Sequence, residues 1–201
     1  MSARKYLEEG LAEMRKSLKD MCMLVESMID DAVRAVEESD AALASGIHER
    51  DKKVDEYEMD IERMCMRLLL KEQPVAADFR AVSTTLKVIT DIERIGDQAS
   101  DIAELTRFVR LPDGPGRQRI EEMSKAVIRM VTDSVDSFVK RDLKLAREVC
   151  REDDQVDDLF NQVKNDLIAL IRKDANNGEQ AVDLLMVAKY LERIGDHATN
   201  V

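Results

Sequence analysis

Four pairs of carboxylates recur along this chain, each with two acids four residues apart: Asp51 and Asp55, Glu93 and Asp97, Asp153 and Asp157, Glu192 and Asp196. On a helix, side chains at i and i+4 lie one above the other, so each pair would hold two negative charges about 5–6 Å apart. At about 6 Å their repulsion is roughly 0.7 kcal/mol in water and about 3 kcal/mol at an effective dielectric of 20. Carboxylates gathered in partial shelter from water must raise one another's pKa or take up a cation. Oxygen-only ligation suits hard cations such as magnesium, calcium, manganese or iron, and four such groups in one place could bridge more than one ion. In a chain with 42 acidic residues, a single i,i+4 pair is most simply a solvated surface feature. Four of them at repeated positions point to metal ligands.

The elements that must position these acids are helices. Glycine and proline are scarce, with 7 and 3 residues, aromatics make up 3% and charged residues 36%, a composition of long helices packed side by side. Ser39-Asp40 reads as a helix N-cap, Gln73-Pro74 as a stop and restart, Leu111 to Gly116 as the main linker, and Asn176-Asn177-Gly178 as a turn with a helix stop. The expected helices run over about 3–38, 41–72, 76–110, 117–140, 143–174 and 179–201.

The chain also repeats internally. Shifted by 102, Val25, Met28, Val33, Asp40, Leu43, Asp51, Val54 and Asp55 meet Val127, Met130, Val135, Asp142, Leu145, Asp153, Val156 and Asp157. In the third helix the shift becomes 99, and Glu93-Arg-Ile-Gly-Asp97 meets Glu192-Arg-Ile-Gly-Asp196. Helical periodicity produces chance apolar matches but not an identical pentapeptide at the matching position, so the halves are read as a duplication. The expected organisation is a first three-helix bundle over 1–110, a linker over 111–116 and a second bundle over 117–201.

A wheel of 100° per residue places the pairs. Along the third helix, Glu93 and Asp97 fall at about 20° and about 60°, inside and at the edge of the stripe formed by Val82, Leu86, Ile89 and Ile92. Arg94, Asp91 and Gln98 fall on the polar face. In the second helix, Asp51 and Asp55 flank the stripe of Val54, Tyr57, Ile61, Cys65 and Leu68, and the fifth and sixth helices repeat both arrangements. Antiparallel packing of those stripe edges would bring four carboxylates together in each half. Glu62 and Asp101 are lesser candidates, since their counterparts are Lys164 and Asn200. His197 is expected to be a bystander and His48 a surface residue. Arg94 and Arg193 are expected to pair with neighbouring carboxylates, or to contact an anion or a partner. Gly96 and Gly195 cost about 1 kcal/mol each against Ala in mid-helix, for which close helix packing is reason enough. Cys22, Cys65 and Cys150 form no CxxC and read as small reduced core residues.

Composition narrows the partners. A net charge of −11 argues against nucleic acid and anionic lipid. No run of 18 apolar residues offers a transmembrane helix, and the first residues, Met-Ser-Ala-Arg-Lys-Tyr, lead into no signal-peptide core, so a cytoplasmic location is expected. There is no phosphate loop, no nucleophile elbow, no His-Glu-x-x-His and no Glu-x-x-His pair of a di-iron oxidase. Nothing in the residues argues for catalysis. A metal-dependent phosphoester hydrolase, or a helical scaffold without specific metal, remain the alternatives to a metal-binding regulator.

The segments Gln73-Pro-Val-Ala-Ala-Asp-Phe-Arg80, Asp91-Ile-Glu-Arg-Ile-Gly-Asp97 and Leu191-Glu-Arg-Ile-Gly-Asp-His-Ala-Thr-Asn200 resemble the PhoU family of bacterial phosphate-transport accessory and regulatory proteins, nearly end to end. The resemblance implies an all-α fold of two tandem, duplicated three-helix bundles, spectrin-repeat-like, each with a carboxylate-ligated, often multinuclear, metal site. Iron, zinc, manganese or magnesium would be the metal. It further implies a non-enzymatic regulator that represses the phosphate-starvation response when phosphate is ample, bridging the ATPase subunit of the phosphate ABC transporter to a sensor histidine kinase, as a homodimer. Two departures stand out. In the family the last helix runs several turns further than Val201, so a truncated sixth helix is expected, and 174–181 does not repeat the Gln73–Arg80 motif.

Overall fold

The structure, a computed structural model, describes residues 3–109 and 115–201. Six long helices account for nearly all of them: α1 (Ala3–Glu38), α2 (Ala41–Lys71), α3 (Ala76–Glu104), α4 (Pro115–Lys140), α5 (Leu143–Lys173) and α6 (Gly178–Asn200). No strand occurs among the described residues.

The turns show why the helices stop where they do. Ser39 and its counterpart Arg141 adopt φ of 54° and 58°, a left-handed closure of the preceding helix. The next amide then reaches back across the end: Asp40 N–H donates to the Ala35 carbonyl at 2.9 Å, and Asp142 N–H to that of Ser137 at 2.8 Å. The carboxylates of the same two aspartates cap the helices that follow. Asp40 accepts from the Ala42 and Leu43 amides, and Asp142 from those of Lys144 and Leu145. The whole device is duplicated, cap for cap.

Some boundaries differ from the expected ones. α3 ends at Glu104, and a 3-10 turn over Leu105–Arg107 replaces the helix read as far as 110. Gly178 opens α6 with φ of −58° after a 3-10 turn over Ala175–Asn177, rather than stopping α5, whose end at Lys173 is closed by Asp174. The linker read over 111–116 lies mostly outside the described residues.

Within each half every helix packs on the other two, α1 with α2 and α3, and α4 with α5 and α6. Met14, Leu18, Met21, Val25, Met28 and Ile29 of α1 are wholly buried, as are Met123, Val127, Met130 and Val131 of α4. The halves then join through α1 on α4 and α3 on α6. Lys19 pairs with Asp136 at 2.8 Å and Arg117 with Glu37 at 3.8 Å, so α1 and α4 run antiparallel. Between α3 and α6, Asp91 Oδ1 lies 3.0 Å from His197 Nδ1 and accepts from Asn200 Nδ2 at 3.2 Å.

This second layer corrects the wheel. Gln98 is buried and Asp91 half-buried, although both fall on the polar face of α3, because α6 covers that side. Cys22 and Cys65 are buried as expected, but Cys150 is exposed.

Replacing either cap should weaken folding to a similar extent. Asp40→Ala and Asp142→Ala are each expected to cost about 1 kcal/mol in urea unfolding. A loss at one site only would show that the two turns are not energetically alike.

Candidate metal-binding carboxylate clusters

The acids meet where α2 crosses α3 and where α5 crosses α6, and a glycine sits at each crossing. A Cβ on Gly96 would lie 3.2 Å from Val54 Cγ1 and 3.6 Å from Asp51 Oδ1. On Gly195 it would lie 3.1 Å from Asp153 Oδ1 and 3.7 Å from Val156 Cγ1. The absent side chain therefore lets Asp51 and Asp153 lie over the partner helix, beside its Glu-x-x-x-Asp pair. Two residues in mid-helix, unfavourable for the helix itself, set the distance between charge-bearing faces.

The packing raises the pKa of three of these acids. Burial, then Asp97 and Asp55, push the Asp51 carboxyl above its usual value, while a hydrogen bond from Ser100 opposes them. Burial pushes Glu93 up to about 7, with Asp97, Glu58 and Asp55 adding and Arg94 opposing. Burial pushes Asp153 up to about 6, helped by Asp196, Asp157, Asp154 and Glu192. The acids that influence one another are thus Asp51, Asp55, Glu93 and Asp97 in one half, and Asp153, Asp157, Glu192 and Asp196 in the other. Asp51, Glu93, Asp97, Asp153 and Glu192 are partly buried, whereas Asp55, Asp157 and Asp196 stand on the exposed rim.

Among the described residues, no group of three or more His, Cys, Asp or Glu side chains forms a ready ligand set. The donors fit a hard cation in kind, being oxygen only and drawn from two facing helices. Arg94 does not neutralise the first cluster. Its pairs with Glu93 at 3.6 Å and Asp97 at 3.4 Å are long, and its side chain is 57% exposed.

Other candidates fall elsewhere. Glu62 is exposed. Asp101 is raised by burial, Glu104 and Asp97, and feels Arg193 of α6, which places it towards the junction between bundles. His197 holds Asp91 at that junction rather than joining the cluster beside Asp196.

His48 is the residue that sequence reasoning misplaced. It is not a free surface residue, because its Nδ1 lies 2.7 Å from Ser100 Oγ, and Ser100 in turn opposes the upward shift of the Asp51 carboxyl. A histidine and a hydroxyl behind a carboxylate orient it, as the outer partners of metal ligands do. Its place three residues before Asp51, on the same helix face, was the available signal.

The profile of the PhoU domain matches residues 18–106 and again 120–201. The chain belongs to the PhoU family. It is 38% identical over 202 residues to a protein of Clostridium acetobutylicum named phosphate-specific transport system accessory protein PhoU homolog, covering 98% of this chain and 91% of that one. A protein of the same name from Aquifex aeolicus is 38% identical over 190 residues, covering 93% of this chain and 85% of that one. The crystal structure of PhoU from Pseudomonas aeruginosa superposes with a TM-score of 0.88 at 30% identity, covering 96% of this chain and 93% of that one. A phosphate transport system regulatory protein PhoU from Streptococcus pneumoniae shares the fold, with a TM-score of 0.87, 24% identity, and 96% and 92% of the two chains covered.

Two measurements test this geometry. Gly96→Ala pushes on the buried, β-branched Val54 and is expected to cost about 1–3 kcal/mol, less whatever alanine returns in helix propensity. Gly195→Ala meets first a carboxylate that can turn away, and should stay within about 1 kcal/mol of wild type. Urea unfolding that ranked the two the other way would sink this reading of the crossings.

The second measurement is the pH profile. A carboxyl whose pKa is higher folded than unfolded binds more protons in the folded state between those values, so stability falls as pH rises through the interval. For Glu93 the interval runs from 4.5 to about 7, and for Asp153 from 3.8 to about 6. The chelator-treated protein should therefore melt at a lower temperature at pH 7.5 than at pH 5, and Glu93→Gln should flatten the decline. A melting temperature that climbs over that range contradicts the clustering.

Proposed function

We propose that the chain is a metal-binding cytoplasmic regulator of phosphate uptake and of the phosphate-starvation response. It acts as an adaptor, as a homodimer, between the ATPase subunit of a phosphate ABC transporter and a sensor histidine kinase, and restrains the response while phosphate is ample. The observation that carries this reading is the PhoU-domain match over both halves, together with relatives named as accessory and regulatory proteins of phosphate transport. No helix among the described residues is long and apolar enough to cross a membrane, which agrees with attachment to the transporter through a partner.

In this reading Asp51, Asp55, Glu93 and Asp97 hold metal in the first bundle, and Asp153, Asp157, Glu192 and Asp196 in the second. The metal, when bound, supplies compact positive charge between carboxylates that otherwise repel. The residues of the chain do the rest: Gly96 and Gly195 set the approach of the helices, Ser100 and His48 orient Asp51, and Asp91 with His197 and Asn200 ties α3 to α6. A change at either crossing is thereby passed to the junction of the bundles, and so to the outer faces offered to partners.

Metal content by ICP mass spectrometry, on wild type beside Asp97→Ala/Asp196→Ala, tests the ligand assignment. Stoichiometric iron, zinc, manganese or magnesium is expected in wild type and its loss in the variant. Pull-downs of the same two proteins with the kinase and the ATPase subunit test the adaptor role, with weaker capture expected of the variant. No metal in wild type after incubation with all four ions would overturn the metal assignment. Failure of wild type to capture either partner would overturn the adaptor.

A further inference from the structure

The duplication reverses charge at the two ends of the molecule. α3 and α6 run antiparallel, since Asp91 of α3 meets His197 and Asn200 late in α6, while Asp101 further along α3 feels Arg193. Their first turns therefore stand at opposite ends. At the shift of 99, Arg80, Ser83, Thr84 and Lys87 of α3 correspond to Glu179, Val182, Asp183 and Met186 of α6. One helix opens on cations, the other on acids and apolar side chains.

The start of α3 borders an open groove of about 480 Å3. Met14, Phe138 and Leu143 give it an apolar lining, and Arg15, Arg80 and Arg141 stand around it. Among the described residues, none of these three guanidiniums makes an ion pair or a side-chain hydrogen bond. Asp142 also reaches the groove, but its carboxylate is taken by the Lys144 and Leu145 amides. In a chain of net charge −11, three unpaired guanidiniums over apolar side chains are a local exception. Arginine in such a setting is suited to a partner that brings both carboxylates and apolar surface.

The equivalent place at the start of α6 is built the other way. Phe108, 69% exposed, stands there beside Glu179 and Asp183. Neither acid is paired among the described residues, although Arg107 lies beside them. Val182 and Met186, both exposed, continue the same face of α6 at three and seven residues from Glu179. An exposed aromatic ring flanked by acids is what an apolar groove ringed by guanidiniums would accept.

We propose that the groove at the start of α3 receives the Phe108 surface of a second copy of this chain, with Arg80 and Arg141 set against Glu179 and Asp183. The two surfaces stand at opposite ends, so two copies lying antiparallel make the contact twice and close as a two-fold pair. The inference rests on the homodimer of the proposed function and gives it a surface. It does not depend on the metal assignment.

Sedimentation velocity over a range of concentrations, on the full chain, tests it. Wild type should be a reversible dimer that loosens when salt is raised from about 50 mM to about 500 mM, because exposed charges are then screened. Arg80→Glu, Glu179→Arg and Phe108→Ala should each weaken the dimer by about tenfold or more. All three side chains are exposed, so the melting temperature of each variant, measured at a concentration where wild type is monomeric, should stay near that of wild type. The double variant Arg80→Glu/Glu179→Arg should dimerise again, and so should an equimolar mixture of the two single variants, since both arrangements restore opposite charges across each contact. A dimer unmoved by the three single variants would overturn this surface, leave the homodimer standing on another face and leave the groove to another occupant. Loss in the single variants without rescue in the double variant or the mixture would overturn the charge pairing on which the proposal stands. A wild type that is monomeric at every concentration would overturn the homodimer and this inference together.

Discussion

The distance between α2 and α3, and between α5 and α6, is the constraint on which the rest of this protein depends. Gly96 and Gly195 leave room for Asp51 and Asp153 to lie across the facing helix. Burial of Val54, Ile61, Ile92 and Ile95 in one half, and of Val156, Val163, Leu191 and Ile194 in the other, holds the crossings shut. Apolar burial therefore works against charge repulsion at the same place. Each fully buried aliphatic side chain contributes about 1.5–3 kcal/mol, against about 3 kcal/mol for a carboxylate pair at an intermediate dielectric, so packing prevails and the acids must adjust their protonation. The raised pKa values of Asp51, Glu93 and Asp153 are the mark of that contest.

Carboxylates kept half-buried by neighbouring packing sit between two helices, so a change of charge at either crossing is felt by both. The antiparallel joining of the bundles then matters. α3 and α6 carry the Glu-Arg-Ile-Gly-Asp segments and also form the junction, where Asp91 meets His197 and Asn200. One helix thus faces the acids with one side and the other bundle with the opposite side.

The two halves share a scaffold and differ in its lining. The turn between the first two helices of each half, its caps and the crossing glycines Gly96 and Gly195 correspond, down to the left-handed Ser39 and Arg141 and the capping Asp40 and Asp142. Those positions answer to backbone geometry, which tolerates few residue types. The positions around the acids answer to charge, and they have separated: Glu58 against Phe160, Glu62 against Lys164, Thr90 against Lys189.

Residue order alone determined the helices, the duplication and the i,i+4 spacing of the eight acids, because each is a local matter of period, cap or spacing. The i,i+4 geometry of Glu93 and Asp97 needs nothing beyond their own helix, and the cap at Asp40 reaches only three residues. What lay between helices was decided by tertiary structure. Gln98 and Asp91 fall on the polar face of α3, and only the arrival of α6 from the other bundle buries them. His48 looked exposed on α2 until Ser100 of α3 met it, and Lys189 looked like any surface lysine until it closed on Glu192 beside Phe160. α3 also stopped short of the linker, giving way to a 3-10 turn at Leu105. A one-dimensional period describes one helix against an unspecified core. It carries no information about a second layer, and the charges that matter here lie where two layers meet.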